Sequence, residues 1–408
     1  MMLLPHLVAS INEAKDILKE PNTASEEQRT QLRQACSSLL NVLETPTDKI
    51  INGSFQVVDL IIIRMGIRLG VFEIEKSGFG PADVAAQSGC DPALASRILR
   101  ALVSLGFLDV TEKGLFAQNE SSKSLKNGEM VSDAVLLTVD ITMKMMANTI
   151  SFFDSNNYRE PNNGYDGIFQ LAAGTSLHFF DWLPSRPQLQ DAFNRFMEAT
   201  ATGSTPAQWA QWLPIESKLQ ALYEKSQKDQ KPLTFVDVGG GHGHEAKAVM
   251  KRFPDLPRRF VVQDGPKYVN SHDAEAEAET QGSLERMEYS FFDKQPVEHA
   301  HVYFLGRVLH NWADQQARQI LQNVRAAMNQ DSVLFIHERV LSDDPADISP
   351  EHVRNDWAMM SLFSAPERSE SEWRALLDSA QLRLVKIWAP TDKQESSLTS
   401  LLEVVAKP

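Results

Sequence analysis

Residues 234–243 read TFVDVGGGHG, a short β-prone run with an acid inside it followed by a crowd of glycines. A second β-prone run, FVVQD, ends at Asp264. A strand, a flexible glycine turn and a helix are how an open α/β sheet brings backbone N–H groups close to a ligand. The acid about 20 residues further on is placed to accept hydrogen bonds from ribose hydroxyls. Asp237, Gly239, Gly241 and Asp264 therefore read as a nucleoside site, with Asp237 fixing the glycine loop or meeting the ligand through water. The loop lacks the GKS or GKT ending of a phosphate-binding loop, which excludes nucleotide hydrolysis, and it lacks the strict GxGxxG spacing of a dinucleotide fold.

The pattern continues outward from this loop as strands alternating with helices. HEAKAVMKRF follows as a helix, HVYFLGRVLHNW as a strand running into a loop, and DQQARQILQNVRAAM as an amphipathic helix. SVLFIHERVL and LRLVKIWAP are further strands, and SLTSLLEVVAKP ends in a run able to pair antiparallel beside the latter. Alternation of this kind predicts a doubly wound, Rossmann-like sheet with ligands beyond the carboxyl ends of its strands. Asp264, His310 and Glu338 all fall at or just after such ends, which argues for one shared site. An imidazole near neutral pKa can take a proton from a phenol or enol. Glu338, near the end of a central strand, would be costly to bury without a partner, and an imidazole N–H would satisfy it. Glu367, in the loop SAPERSESEW, is placed to flank the same histidine. No HExxH motif or compact ligand cluster is present, so no metal site is expected.

Length and charge bound the rest. A chain of 408 residues exceeds one usual core, and its 42% apolar content is ample for real packing. The net charge of −14 disfavours nucleic acid and anionic membrane partners. Cys36 and Cys90 are the only cysteines, which fits a reducing compartment, the cytoplasm. VVDLIIIRMGIRLGVF is cut by Asp59, Arg64 and Arg68 and reads as a buried helix, across a subunit boundary if not within the chain, rather than a membrane span. PADVAAQSG and DPALASRILRALVSLG each begin with a helix-start signal and end at glycine, and FLDVTEKGLFAQN reads as a hairpin turning at Lys113–Gly114. Together they predict a winged helix used for packing or dimerisation, because its would-be reading helix carries an apolar stripe. The charged stretch Asp273 to Glu279 reads as a solvated surface. VSDAVLLTVDITMKMMANTISFF is helical by periodicity, and its Met143, Met146 and Phe152 suit either ordinary core packing or the wall of a lipophilic pocket. His178, between Leu177 and Phe179, is open to the same two readings.

The ordered segments VDVGGGHG, VVQD, LHNW, HERV, NDWAMM and PERSESEW resemble the motifs of S-adenosylmethionine-dependent O-methyltransferases, in particular the plant and fungal small-molecule class. The resemblance covers nearly the whole chain. It implies three parts: a winged-helix dimerisation domain over 1–125, a helical connector lining the substrate pocket over 126–222, and a Rossmann-like S-adenosylmethionine-binding domain over 223–408. It also implies a homodimer, His310 as base supported by Glu338 and Glu367, and Asp356, Met359 and Met360 on the acceptor side. Two positions depart from the family pattern. Ser290, just before Phe291, replaces an acid on the adenine side, and Gly306, four before His310, replaces an arginine or lysine. Some fungal relatives of this family catalyse dehydrations and pericyclic ring closures without methyl transfer. That alternative would use a shaped apolar cavity with His178, His337 and the Met-rich helix as polarising groups. The acceptor class expected is a hydrophobic aromatic or polyketide-like metabolite.

Overall fold

The structure, a computed structural model, describes residues 3–18, 23–203, 215–228, 232–253, 258–266, 284–389 and 399–408. The stretch Asp273 to Glu279 lies outside the described residues. The chain divides into two compact units, Met1–Asn119 and Glu120–Pro408.

The first unit opens with α1 (Leu3–Ile17), α2 (Glu26–Leu43) and α3 (Pro46–Arg68). Thr45 starts α3 with a capping box: its hydroxyl accepts from Asp48 N–H while the Asp48 carboxylate accepts from the Thr45 backbone. α3 departs from the expectation of a buried helix. Only Ile63, Arg64, Gly66 and Ile67 are buried, while Ile50 is 75% and Phe55 62% exposed. By length and composition α3 is long and apolar enough to cross a membrane. Its buried end, however, belongs to the unit's own core, where Gly66 approaches Leu102 and Phe72. The winged helix follows as α4 (Pro81–Ser88), α5 (Pro92–Ser104) and a short hairpin of β1 (Asp109–Val110) and β2 (Phe116–Ala117). Asp91 caps α5 by accepting from Ala93 N–H at 2.7 Å. Ile98, Leu99 and Leu102 lie on the buried face of α5, and Phe79 pairs with Phe116 through a single antiparallel bridge beside the hairpin.

The second unit begins with α6 (Glu120–Lys123) and α7 (Met130–Leu137). A π-helical turn, Thr138–Thr142, joins α7 to α8 (Met143–Ser155). α9 (Ile168–Ala173), α10 (Phe179–Trp182), α11 (Pro187–Gly203) and α12 (Ile215–Lys228) complete the helical stretch. Then come β3 (Leu233–Val238), α13 (His244–Arg252), β4 (Arg258–Asp264), β5 (Leu284–Glu288) and β6 (Val302–Gly306). The chain continues through α14 (Asp314–Ala327), β7 (Val333–Glu338), α15 (Pro350–Phe363) and α16 (Glu370–Ser379). It closes with β8 (Leu382–Trp388) and β9 (Ser400–Ala406).

The seven strands form one sheet in the order β5-β4-β3-β6-β7-β9-β8, parallel except for β9, which runs antiparallel between β7 and β8. Side-chain alternation sends Val236, Leu305, Leu334 and Ile336 to one face, under Ile320, Leu321 and Val324 of α14 and Trp373 and Leu377 of α16. Phe235, Phe304 and Phe335 go to the other, under Leu219 of α12 and Val249 of α13. The strand order reverses direction at β3 and β6, where a doubly wound sheet opens its crevice. Both the glycine loop and His310 leave the sheet at that point.

Candidate active site

The glycine loop is held almost entirely by backbone. Gly239 and Gly240 N–H both donate to the Gln263 carbonyl, at 2.8 and 3.2 Å, which ties the end of β3 to the end of β4. Gly241 N–H donates to Asp264 Oδ2 at 2.8 Å and Gly265 N–H to Asp264 Oδ1 at 2.7 Å. Asp264 is thus turned into the loop, and each oxygen keeps a lone pair for a further donor. Two glycines here have distinct reasons. A Cβ on Gly240 would lie 2.5 Å from Asp237 Cγ, so the loop can lie on that acid only without a side chain. Gly241 has φ 55, which disfavours other residues, and it faces open space with no atom within 4 Å.

Beneath the loop Asp237 is buried, and its Oδ2 has no hydrogen-bond partner. Burial, with the charges of Glu245 and Asp264, pushes this carboxyl up to about 8. An unsatisfied buried acceptor below an open, backbone-lined bend is what a nucleoside carrying a cationic amine would complete. S-adenosylmethionine, the group implied by the motifs, fits this donor and acceptor set.

Of the other cofactor-side residues, Phe291 lies beside the loop: its Cε1 is 3.7 Å from where a Gly239 Cβ would stand. It also meets Trp312 edge-on at 5.6 Å. Ser290 is exposed, and its Oγ accepts weakly from Phe292 N–H at 3.4 Å. Gly306 carries a packing reason of its own. A Cβ there would stand 2.7 Å from Phe304 Cε1, so a side chain at this position would require that ring to move.

His310 sits in a one-turn 3-10 helix, Leu309–Asn311, that begins just past the end of β6 after Arg307, a non-glycine residue at φ 54. Its Nδ1 lies 3.3 Å from Glu367 Oε1 and 3.9 Å from Glu338 Oε2. Glu338 ends β7, is fully buried, and through Oε1 accepts from Leu309 N–H at 2.8 Å and His310 N–H at 3.3 Å. Glu367 Oε1 also accepts from Asn355 Nδ2 at 2.6 Å, while the Glu367 backbone N–H donates to Asp356 Oδ1 at 2.8 Å. Burial pushes the imidazole down. The Glu338 charge, then the hydrogen bond and charge of Glu367, more than offset it against an opposing Arg307, and hold His310 above its ordinary value. Burial likewise raises Glu338. For Glu367 burial is outweighed by the His310 hydrogen bond and by the charges of His310, Arg339 and Arg368, which hold it low.

The residues expected on the acceptor side divide. Asp356 faces the Glu367 backbone, one turn of α15 from Met359 and Met360. Met360 and Phe152 are buried in one cluster with Ile141, Met145, Phe179 and Phe363, and Met359 packs against it. Met143 is half-buried and Met146 is 38% exposed. His178 is buried, stacked on Trp312 with centroids 4.3 Å apart and planes 11° apart, and its Nδ1 accepts from Phe180 N–H at 3.4 Å. Burial lowers it to about 4, against a raising backbone hydrogen bond at Asn311, so the ring is neutral at pH 7. His337 is not with this group. Its parity along β7 puts it on the face opposite Glu338, tilted on Phe304 at 6.3 Å and bonded through Nε2 to Thr399. Asn355, Trp312 and Arg368 are site residues that sequence reading missed. Asn355 and Arg368 adjoin residues it singled out, and Trp312 stands inside the LHNW motif, so adjacency was the available signal.

Comparisons with known proteins agree with this geometry. Residues 217–383 match the model of an O-methyltransferase domain and residues 55–127 that of an O-methyltransferase dimerisation domain. The O-methyltransferase mfmE of Annulohypoxylon moriforme is 32% identical over 303 residues, covering 73% of this chain and 71% of that one. Demethylsterigmatocystin 6-O-methyltransferase of Aspergillus parasiticus is 28% identical over 353 residues, covering 86% of each chain. Among solved structures, LepI in complex with S-adenosylmethionine superposes with TM-score 0.79 at 24% identity, covering 99% of this chain and 100% of that one. OxaC in complex with sinefungin and meleagrin gives 0.78 at 24% identity, covering 98% of each chain. The likeness to LepI and OxaC is one of fold. With the two domain models, the mfmE match and a loop built for a nucleoside, the chain belongs to the S-adenosylmethionine-dependent O-methyltransferase family.

Proposed function

We propose that the protein methylates a hydroxyl of a hydrophobic secondary metabolite, aromatic or polyketide-like, with His310 as the base. The observation that carries this reading is the partner set of the imidazole. Nδ1 is engaged by Glu367 at 3.3 Å, which fixes the tautomer and leaves Nε2, which has no hydrogen bond among the described residues, as the proton acceptor. S-adenosylmethionine supplies an electrophilic methyl group on a sulfonium. The Gly239–Gly243 bend and Asp264 would hold its nucleoside, Asp237 its amine, and Phe291 would cover one side. His310 Nε2 takes the acceptor's hydroxyl proton, and the Glu338 and Glu367 carboxylates stabilise the resulting imidazolium. Met143, Met146, Phe152, Met359, Met360 and His178 supply the apolar acceptor wall.

The pH dependence follows from the direction of the His310 shift. A raised imidazole pKa keeps the ring protonated, and so unable to act as a base, until the pH passes a value above 6.5. Methyl transfer should therefore rise with pH through that value. His310→Ala should lose methyl transfer while S-adenosylhomocysteine, measured by calorimetry, binds nearly as before. Full turnover by that variant sinks the assignment.

One observation favours a second reading, a ring closure or dehydration with no methyl transfer. Gly306 stands where the family carries a cation, hard against Phe304, and Ser290 lacks the family's acid, so the cofactor edge is stripped of two charged contacts. Product mass separates the two: methylation adds a methyl group, rearrangement leaves mass unchanged and dehydration lowers it. We further propose a homodimer, supported by the dimerisation-domain match and the exposed apolar residues of α3. A cytoplasmic location is supported by two unpaired cysteines, and the acidic charge supports the absence of nucleic acid or membrane partners. The division of the second unit at residues 222/223 into connector and catalytic sheet remains part of the same proposal.

A further inference from the structure

The turn that bears His310 is short and has little of its own to hold it. Its local bonds are Asn311 N–H to Val308 O at 3.1 Å, Trp312 N–H to Leu309 O at 3.2 Å and Asn311 Nδ2 to Arg307 O at 3.1 Å. Beside it lies Arg368, 1% exposed and next in sequence to Glu367. Arg368 Nη1 donates to Leu309 O at 3.1 Å and Nη2 to Trp312 O at 2.9 Å, so one guanidinium closes both ends of the turn. Nε and Nη2 also donate to Asp314 Oδ1 at 3.0 and 2.8 Å, at the first residue of α14. The Arg368 carbonyl accepts from Leu341 N–H at 3.0 Å, which ties the loop to the chain leaving β7 three residues after Glu338. The side chain also rests over the Trp373 ring at 5.3 Å.

A salt bridge does not account for burying this charge. Asp314 is 64% exposed, and a pair with one partner in water contributes little, whereas removing a guanidinium from water costs several kcal/mol. What the burial provides is a rigid planar fork reaching two carbonyls three residues apart, which no other side chain can do. We propose that Arg368 is a positioning residue for His310: its fork fixes the 309–312 turn to the Glu367 loop so that the imidazole meets Glu338 and Glu367 together. The proposal rests on the reading of His310 as base, but its test needs no acceptor.

The groups acting on the imidazole are Glu338 from β7, Glu367 from the loop before α16, Arg307 after β6, and, through Glu367, Asn355 and Asp356 of α15, Arg339 and Arg368. A charge effect and a positioning effect of Arg368 therefore have opposite signs. Loss of its positive charge alone would let the imidazole hold its proton more tightly. Loss of the fork would move the ring from its carboxylates and let the proton go more easily.

The experiment is a titration of the full chain with ring-labelled histidine, followed by NMR, with the His310 resonance identified by its loss in His310→Gln. Arg368→Lys keeps the charge but cannot reach both carbonyls, and its His310 midpoint should fall toward the ordinary imidazole value. Affinity for S-adenosylhomocysteine should stay within about twofold, a small change on the affinity scale. Arg368→Met loses the charge as well as the fork, so its midpoint should lie above that of Arg368→Lys, while Asp314→Ala should leave the midpoint in place. An unchanged or higher midpoint in Arg368→Lys overturns the proposal, and so does loss of folding in that variant, which would make the fork a requirement of the fold. Failure of His310 as base would show instead as methyl transfer by His310→Ala, with this titration unaffected.

Discussion

The two halves of the sheet's carboxyl edge are built on different plans. At the ends of β3 and β4 the loop is organised by backbone: Gly239, Gly240 and Gly241 N–H groups bonded to Gln263 O and Asp264, all within one strand–loop–helix–strand unit. At the ends of β6 and β7 the site is organised by side chains drawn from residues 310, 338, 355, 367 and 368. The buried acids show the same contrast. Asp237 has an oxygen with no partner and a carboxyl pushed up to about 8, whereas Glu367 is surrounded by donors and held low. Among the described residues each edge keeps one buried carboxylate oxygen without a hydrogen bond, Asp237 Oδ2 and Glu338 Oε2. The second of these lies 3.9 Å from a charge-bearing ring, at His310 Nδ1, whereas the first has only the open bend above it. A change on the β6–β7 edge should therefore cost stability and chemistry together. A change on the β3–β4 edge should cost affinity first.

The largest effect expected is for Glu338→Leu. Two backbone donors, the buried Leu309 N–H and the part-buried His310 N–H, lose their acceptor. Each unsatisfied group costs about 1–3 kcal/mol, so about 2–6 kcal/mol of stability should be lost along with turnover. Chemical denaturation measures this directly. A variant as stable as the parent would mean that the turn is held without Glu338 and that the contrast between edges is false. Gly240→Ala comes next. Its Cβ would fall 2.5 Å from Asp237 Cγ, so the bend must shift. Affinity for S-adenosylhomocysteine should drop tenfold or more, about 1.4 kcal/mol, with a smaller loss of stability. A greater loss of stability than of affinity would show that the loop is a structural element first.

The difference between the edges also explains what could be read in advance. The β3–β4 edge is local: strand, glycines and Asp264 lie within about thirty residues, and their spacing carries the geometry. His310 and Glu338 were legible because strand ends converge in a doubly wound sheet. Arg368 and Asn355 were not, because a polar residue in a loop or on a helix gives no sign of which carbonyl or carboxylate it will meet. His337 was misgrouped for a simpler reason. Its neighbour Glu338 faces the site, and alternation along β7 sends His337 the other way. The exposure of α3 had a different origin. An all-round apolar helix reads as buried, but the sequence does not say whether the same chain or a second copy covers it.

A third prediction turns on the proton of Asp237. Its pKa rises from 3.8 to about 8 in the folded chain, so between these values the folded state holds a proton that the unfolded state has lost. Without ligand, stability should therefore fall as pH rises from about 4 to about 8. A cationic amine seated on Oδ2 would favour the carboxylate, so cofactor binding near pH 7 should release up to about one proton. Calorimetry in buffers of different ionisation enthalpy reads this release, and Asp237→Asn should abolish it. Binding that moves no proton in the parent would mean that the amine sits elsewhere, and that Asp237 Oδ2 meets water instead.

The smallest effect expected is for Ser290→Asp, which restores the acid that the family carries before Phe291. Ser290 is exposed and its hydroxyl accepts weakly from Phe292 N–H, which an aspartate can also do, so stability should change by less than about 0.5 kcal/mol. If the nucleoside reaches this side chain, one added hydrogen bond should tighten S-adenosylhomocysteine binding by about two- to tenfold. Without a change in affinity, the edge from β3 to β5 would hold its ligand by backbone and Asp264 alone. Serine would then be tolerated because no bond was ever made there, and the contrast with the side-chain-built β6–β7 edge would be sharper than the family pattern implies.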